Sequence, residues 1–351
     1  MNINSISDTI LDETSSPEQL RNALDAFSLL CSEATGVWPD PSFEAWADDA
    51  LLDNGVAINP QAAAHCVVDY ARSVAFIRGV FAALDTLKLR FPGSSLEILY
   101  AGCGPFATLL LPLLGKFLPG ELKLYLLDVH QRSLDSVQLL LMEFGLCAHS
   151  VQTIKADACT YTHPGKLHLV IAETMQKSLE QEPQFAVTAN LAPQLCPMGV
   201  FIPQRIEVSL CLADLDHEKR LIDASCENEI PGSHNLASVA RRYPLGTICS
   251  LLPEYAFEQM QLALANSVGV VAALEPTIVE IPEVADTARF DAVLFTSITV
   301  FEHYRLEDYE SQITLPLKCF DLSPLVGGER YRVSYQLGSY PKFNFERLHK
   351  V

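Results

Sequence analysis

The stretch from Leu96 to about residue 205 constrains the fold more than any other part of the chain. Short apolar runs, LEILYA (96–101), KLYLLDV (123–129), VQTIKAD (151–157) and LHLVIAE (167–173), read as strands. The helical segments SLDSVQLLLMEFG and PQFAVTANLAPQL lie between and after them. Strands that are apolar on both faces need cover on both faces, and strand–helix alternation supplies it with crossover helices. The prediction is an α/β fold with a doubly wound parallel, Rossmann-like sheet over 93–205. Within it, FATLLLPLLGKFL (106–118) is expected as a helix kinked at Pro112, and GVFIPQRIEVSL as one strand.

The flanks differ in texture. Residues 1–92 form an N-terminal helical segment, with a loose or partly helical lead-in over the first 20 and helical periodicity over 20–90. The periodicity is clearest in AAAHCVVDYARSVAFIRGVFAALDTL, which follows Pro60 and ends at Phe91-Pro92-Gly93. From 206 to 351, runs such as FDAVLFTSITVFEHY and RYRVSYQL predict a β-rich, barrel-like domain, and the polar stretch 213–250 reads as an inserted arm. Three such units fit a chain of 351 residues.

Composition excludes several classes. Twenty-four basic against 43 acidic residues give a net charge of −19, with no Lys/Arg cluster for a nucleic acid. No apolar run reaches the ~20 residues of a membrane helix, and MNINSISDTILDETSS lacks the basic and apolar regions of a leader. The ten cysteines are scattered, the closest pair 12 apart, so no Cys-x-x-Cys motif exists. Reduced thiols in a cytoplasmic protein without a metal are the expectation.

The candidate ligand loop is Gly102-Cys103-Gly104-Pro105-Phe106-Ala107, at the carboxyl end of the first strand of the sheet, where such folds bind ligands. Asp128 closes the second strand, 24 positions after Gly104, and is placed to accept hydrogen bonds from ribose hydroxyls. Asp157-Ala158 closes the third, where an acidic side chain can meet an adenine amino group. Read literally, the loop is also the G-x-G-x-x-A dinucleotide fingerprint. A nicotinamide-dependent oxidoreductase therefore stays open, although no His or Tyr-x-x-x-Lys set accompanies the loop. A glycine turn that serves packing alone is the plainer alternative. Glu173 ends the fourth strand and Glu182 follows nine positions on, with Glu180 a rival for the second place. Two carboxylates can hold a planar guanidinium by paired charge-assisted bonds and aim one nitrogen. A solvated acidic loop is the alternative there.

Residues 96–205 resemble a class I S-adenosylmethionine-dependent methyltransferase domain, with Tyr100 and Phe106 where that family usually has an acidic residue and a third glycine. The Glu173/Glu182 spacing and Pro197-Met198-Gly199-Val200-Phe201-Ile202-Pro203 resemble the protein arginine methyltransferases, as does Asp69-Tyr70-Ala71-Arg72. The resemblance implies S-adenosylmethionine as cofactor, S-adenosylhomocysteine as product, and catalytic Glu173 and Glu182. Gly102, Cys103, Gly104, Asp128, Asp157 and Ala158 would bind the cofactor, with Arg72 on its carboxylate and Arg78 the alternative. Trp38, Phe43 and Trp46 could line a lid, and an arm within 213–250 would pair the chain as a homodimer. That family's Thr-His-Trp loop is replaced by Thr314-Leu315-Pro316. A small guanidino or other cationic molecule is therefore the expected acceptor. Protein arginine methylation, O- or C-methylation of another metabolite, and a non-catalytic binding role are the alternatives.

Overall fold

In a computed structural model, residues 1–40, 49–225, 241–267, 272–283 and 287–349 are described. Sequence reading understates the amino-terminal part. Helix α1 (Ile3–Leu11) is capped reciprocally by Asn2 and Ser5 and buries Ile3, Ile6 and Ile10, so the lead-in expected to be loose or partly helical is a docked helix. Helix α2 (Pro17–Thr35) has the same kind of box from Ser16 and Gln19, with Pro17 in its first turn, and ends at Gly36 in the left-handed region. Strands β1 (Ala50–Leu52) and β2 (Gly55–Ala57) then pair as a hairpin inside the stretch expected to be helical. The long helix predicted after Pro60 is divided into α3 (Pro60–His65) and α4 (Tyr70–Arg90). Between them lie a 3-10 turn over Cys66–Val68 and a non-helical Asp69. A distant tie explains the break: the Asp69 carboxylate accepts from Ser311 Oγ at 2.6 Å and Gln312 N at 2.9 Å.

The central sheet is as expected. Strands β3 (Leu96–Ala101), β4 (Leu122–Asp128), β5 (Ser150–Lys155), β6 (Leu167–Ala172) and β7 (Leu195–Ile202) are all parallel, in the order β5-β4-β3-β6-β7. Helix α5 (Gln131–Glu143) follows β4, and α6 (Gln184–Leu191) precedes β7. Ile98 and Tyr100 face one apolar cluster while Leu99 and Ala101 face another, which is why the strand is apolar at successive positions.

Two local expectations fail. Residues 106–118 form turns and then a 3-10 helix over Leu111–Lys116 rather than an α-helix. Ala107 sits at φ 43°, and Pro112 removes an N–H and crowds the preceding turn. Leu109, Leu110, Leu111, Leu113 and Leu114 are all buried, so this run has no polar face to present to solvent. The strand expected over 199–210 is two, because Pro203 cannot continue a ladder; β7 ends at Ile202 and β8 (Arg205–Ala213) belongs to a different sheet.

The remainder comprises α7 (Leu215–Ser225), β9 (Arg242–Leu251), α8 (Pro253–Ala265), β10 (Thr277–Glu280), β11 (Asp291–Phe301), β12 (Tyr304–Leu306), β13 (Leu317–Lys318), β14 (Arg330–Gln336) and β15 (Lys342–Leu348). These strands join β8 in two antiparallel sheets, β12-β11-β8-β9 with β13 on β11, and β10-β14-β15. Among the described residues no ladder closes them into a single barrel. Most of the stretch read as an arm belongs to this body. Helix α7 is anchored by fully buried Glu218, which accepts from Arg242 Nε at 2.7 Å and Tyr309 OH at 2.6 Å. Residues 226–240 of that stretch lie outside the described residues. One apolar cluster runs from Ile6 and Phe27 through Ile98 and Leu124 to Leu210 and Tyr335, joining all three parts of the chain. Among the described residues, no helix is long and apolar enough to cross a membrane, and no group of His, Cys, Asp or Glu could hold a metal ion.

Candidate functional site

A cavity of about 500 Å³ opens at the carboxyl edge of the parallel sheet. It is lined by Gly102, Cys103 and Gly104 after β3, Asp128 at the end of β4, and Asp157 and Ala158 after β5. Glu173 after β6, Glu182 and Arg72 line it too, so every predicted site residue reaches one space. The alternates do not. Arg78 is spent on carbonyls at the carboxyl end of α1, donating from Nε to Ile10 O at 2.7 Å and from Nη2 to Asp12 O at 2.8 Å. Glu180 is absent from the lining, as is Trp38, which is 55% exposed; Phe43 and Trp46 lie outside the described residues.

The glycines are required by backbone geometry. Gly102 and Gly104 sit at φ +67° and +63°, and a Cβ on Gly102 would come within 2.6 Å of the Thr174 methyl. The turn is stitched to β4, where Asp128 Oδ2 accepts from Gly104 N at 2.9 Å and Oδ1 from His130 N at 2.8 Å. Burial pushes the Asp128 carboxyl above its usual range, against the pull of those two N–H groups. Each of its oxygens keeps a lone pair for a further donor. Asp157 is steadied by Cys159 N at 2.8 Å, and Asn190 Nδ2 donates to Ala158 O at 2.9 Å. Cys103 is a buried thiol, pushed well up by desolvation, so it lines the turn as an inert neutral group. No α-helix starts behind the glycines. A dinucleotide pyrophosphate would lack the helix N-terminus on which its fingerprint depends.

On the other side of the cavity, α4 delivers the Arg72 guanidinium to Glu173 Oε2 as a closely paired, nearly buried ion pair. The resemblance assigns Arg72 to a cofactor carboxylate; its partner here is a glutamate. Glu173 Oε1 is buried with no hydrogen-bond partner. Glu182 is 7% exposed, and burial pushes its carboxyl up to about 7, opposed by the Arg72 charge and a hydrogen bond from Gln176. The Arg72 guanidinium therefore pairs with Glu173 while its charge also acts on Glu182 and Asp69.

Three features of the site escape sequence reasoning. Gln184 is fully buried in α6 and brackets Glu173. Its Oε1 accepts from Thr174 N at 2.8 Å and Thr174 Oγ1 at 3.0 Å, and its Nε2 donates to Ala172 O at 3.0 Å. The turn before Glu182 holds Ser178, Leu179 and Gln181 at φ 56°, 61° and 68°, a strained run for non-glycine residues. It is pinned by Tyr335 OH on Leu179 O at 2.6 Å, Gln181 N on Pro341 O at 2.8 Å and Val56 N on Gln181 O at 2.8 Å. Gly55 of the hairpin lies so close that a Cβ there would meet Pro183 N at 2.7 Å. Finally, the Asp69 tie carries Gln312, Ile313 and Leu315 to the cavity wall. No local spacing signals these partners, because each lies in another element.

The fold and cavity define an α/β domain with a glycine turn, two carboxylates at the ends of neighbouring strands and a buried cluster of Glu173, Arg72 and Glu182. No protein-family model matches the sequence, and no curated protein matches it either. Among solved structures, the chain is similar to Arabidopsis thaliana protein arginine methyltransferase 10, with a TM-score of 0.45 and 12% identity over 77% of this chain and 85% of that one. It is also similar to a Trypanosoma brucei PRMT1 enzyme–prozyme heterotetrameric complex with AdoHcy, with a TM-score of 0.42 and 11% identity over 81% of this chain and 96% of that one. At such low identity the chemistry of the site rests on this chain's own residues.

Proposed function

We propose that the chain is an S-adenosylmethionine-dependent methyltransferase that N-methylates a guanidino or related cationic small molecule. The observation that carries this reading is the meeting of glycine turn, Asp128, Asp157, Glu173 and Glu182 in one cavity at the sheet's carboxyl edge. The residues fit the cofactor. Two glycines leave room for close approach, Asp128 has acceptor capacity for ribose hydroxyls, and Asp157 offers a cavity-wall carboxylate to an adenine amino group. When bound, S-adenosylmethionine supplies an electrophilic methyl group on a sulfonium. Arg72, which the resemblance assigns to its carboxylate, lines the cavity while paired with Glu173.

Glu173 and Glu182 would grip the acceptor's cationic group by charge-assisted bonds and orient one nitrogen for in-line attack. With its carboxyl pushed up to about 7, Glu182 can also hold the proton that the acceptor nitrogen releases. The apolar turn in place of a helix behind the glycines favours this cofactor, which has no phosphates, over a dinucleotide. Calorimetry with S-adenosylhomocysteine beside NAD(H) tests the reading. A micromolar dissociation constant for the first and no heat for the second is expected; a folded protein that ignores S-adenosylhomocysteine refutes it. Self-association as a homodimer is part of the proposal, and light scattering at the 38.7 kDa monomer mass would remove it.

A further inference from the structure

Lys177 lies in the turn between the two glutamates and lines the same cavity. Arg72, the other long-chain cation on the wall, is paired with Glu173. Lys177 is half-buried; its carbonyl accepts from Glu180 N, whereas its ammonium has no ion-pair or hydrogen-bond partner among the described residues. In a chain of net charge −19, an ammonium on the cavity wall with no carboxylate paired to it is a positive charge left for an anionic group to meet. Its backbone is not free to swing away, because the turn it opens is pinned by Tyr335, Pro341 and Val56.

Its place along the sheet says which end of the cavity it serves. Asp157 follows β5 and Asp128 closes β4, whereas Lys177 follows β6, on the far side of β3. It therefore stands at the glutamate end, away from the pair of carboxylates assigned to the nucleoside. Leu52, Ile313 and Leu315 give the same cavity an apolar wall, suited to a short methylene chain. Resting on the methyltransferase reading above, we propose that the acceptor is a zwitterion. Its cationic nitrogen is held by Glu173 and Glu182, and a carboxylate on the same small molecule is met by the Lys177 ammonium. That chemistry selects free guanidino acids over arginine side chains within a protein, whose carboxyl groups are tied up in peptide bonds.

Matched probe pairs test this by calorimetry on the full chain saturated with S-adenosylhomocysteine. Guanidinoacetate, 3-guanidinopropionate and 4-guanidinobutyrate are each set against the alkylguanidine of equal length. At least one acid should bind about 10- to 100-fold tighter than its alkyl match, the range for one charge-assisted hydrogen bond. Lys177→Gln should bring that ratio to about twofold or less, with the alkylguanidine and S-adenosylhomocysteine affinities unchanged. Several results would overturn the inference: no acid preferred over its match, no probe bound at all, or a preference that survives Lys177→Gln. So would weakened S-adenosylhomocysteine binding in Lys177→Gln, which would place the ammonium on the cofactor instead. Failure of the wild type to bind S-adenosylhomocysteine strikes the methyltransferase reading itself, so the two failures are told apart.

Discussion

Replacing Glu182 by Gln should change how the stability of the chain depends on pH. Burial raises this carboxyl from an ordinary 4.5 to about 7, in spite of Arg72 and Gln176. At 1.36 kcal/mol per pKa unit, holding it ionised in the folded state costs about 3 kcal/mol relative to the unfolded chain. The sign follows from proton counting. Between pH 4.5 and 7 the folded protein keeps a proton that the unfolded chain has lost, so stability contributed by the neutral carboxyl is present at low pH and lost as pH rises through about 7. The amide introduced by Glu182→Gln has no such proton. The stability of Glu182→Gln minus that of wild type should therefore climb by about 3 kcal/mol between about pH 4.5 and pH 8. Urea unfolding followed by circular dichroism at several pH values and constant ionic strength measures it. Other titrating groups cancel in the difference between the two proteins. A difference that stays flat across this range, or falls, would refute the argument that burial dominates at this site.

Three further outcomes follow from the geometry. Asp128→Ala should weaken S-adenosylhomocysteine binding by about 1.5–3 kcal/mol, the range for a hydrogen bond to a charged group, and unchanged calorimetric affinity in a folded variant would remove the ribose assignment. Glu173→Gln should lower turnover by about 10²–10³, equivalent to ~2–4 kcal/mol of transition-state stabilisation, with cofactor affinity nearly constant; normal turnover of the true acceptor would end the guanidinium reading. Gln184→Met keeps the volume but orphans Thr174 N and Ala172 O, so urea unfolding should show a loss of about 2–4 kcal/mol, and a loss under about 1 kcal/mol would show that the amide is not the clamp.

Local patterns carry much of this molecule. The four apolar runs, the glycine turn and the two glutamates are legible because strand burial, left-handed backbone and strand-end carboxylates leave marks on neighbouring residues. Helix α1 is legible only as a loose or partly helical lead-in although its capping box, Asn2 to Ser5, stands in the sequence; the polar character of the segment hides the spacing of Ile3, Ile6 and Ile10. Residues 106–118 mislead because leucines favour a helix wherever tertiary space allows one, and here Pro112 and the surrounding core do not. The break at Asp69 is unreadable from local sequence, since its cause is Ser311 and Gln312. Gln184 is illegible for a similar reason. An amide inside an apolar helix gives no hint that it will grip the backbone on both sides of a glutamate.

The strained turn before Glu182 has a consequence for the order in which the site can be made. Chains emerge from the ribosome amino end first, and domains tend to fold as they appear. The parallel sheet, the glycine turn, Asp128, Asp157 and Glu173 all precede residue 205, so this side of the cavity is synthesised early. Leu179 and Gln181 cannot be clamped until Tyr335 and Pro341 have been synthesised. In a prematurely terminated chain Glu173 would be made while the turn that carries Glu182 still lacked its clamp. Placement of Glu182 is therefore a late event in translation, well after the strands of the parallel sheet have been made.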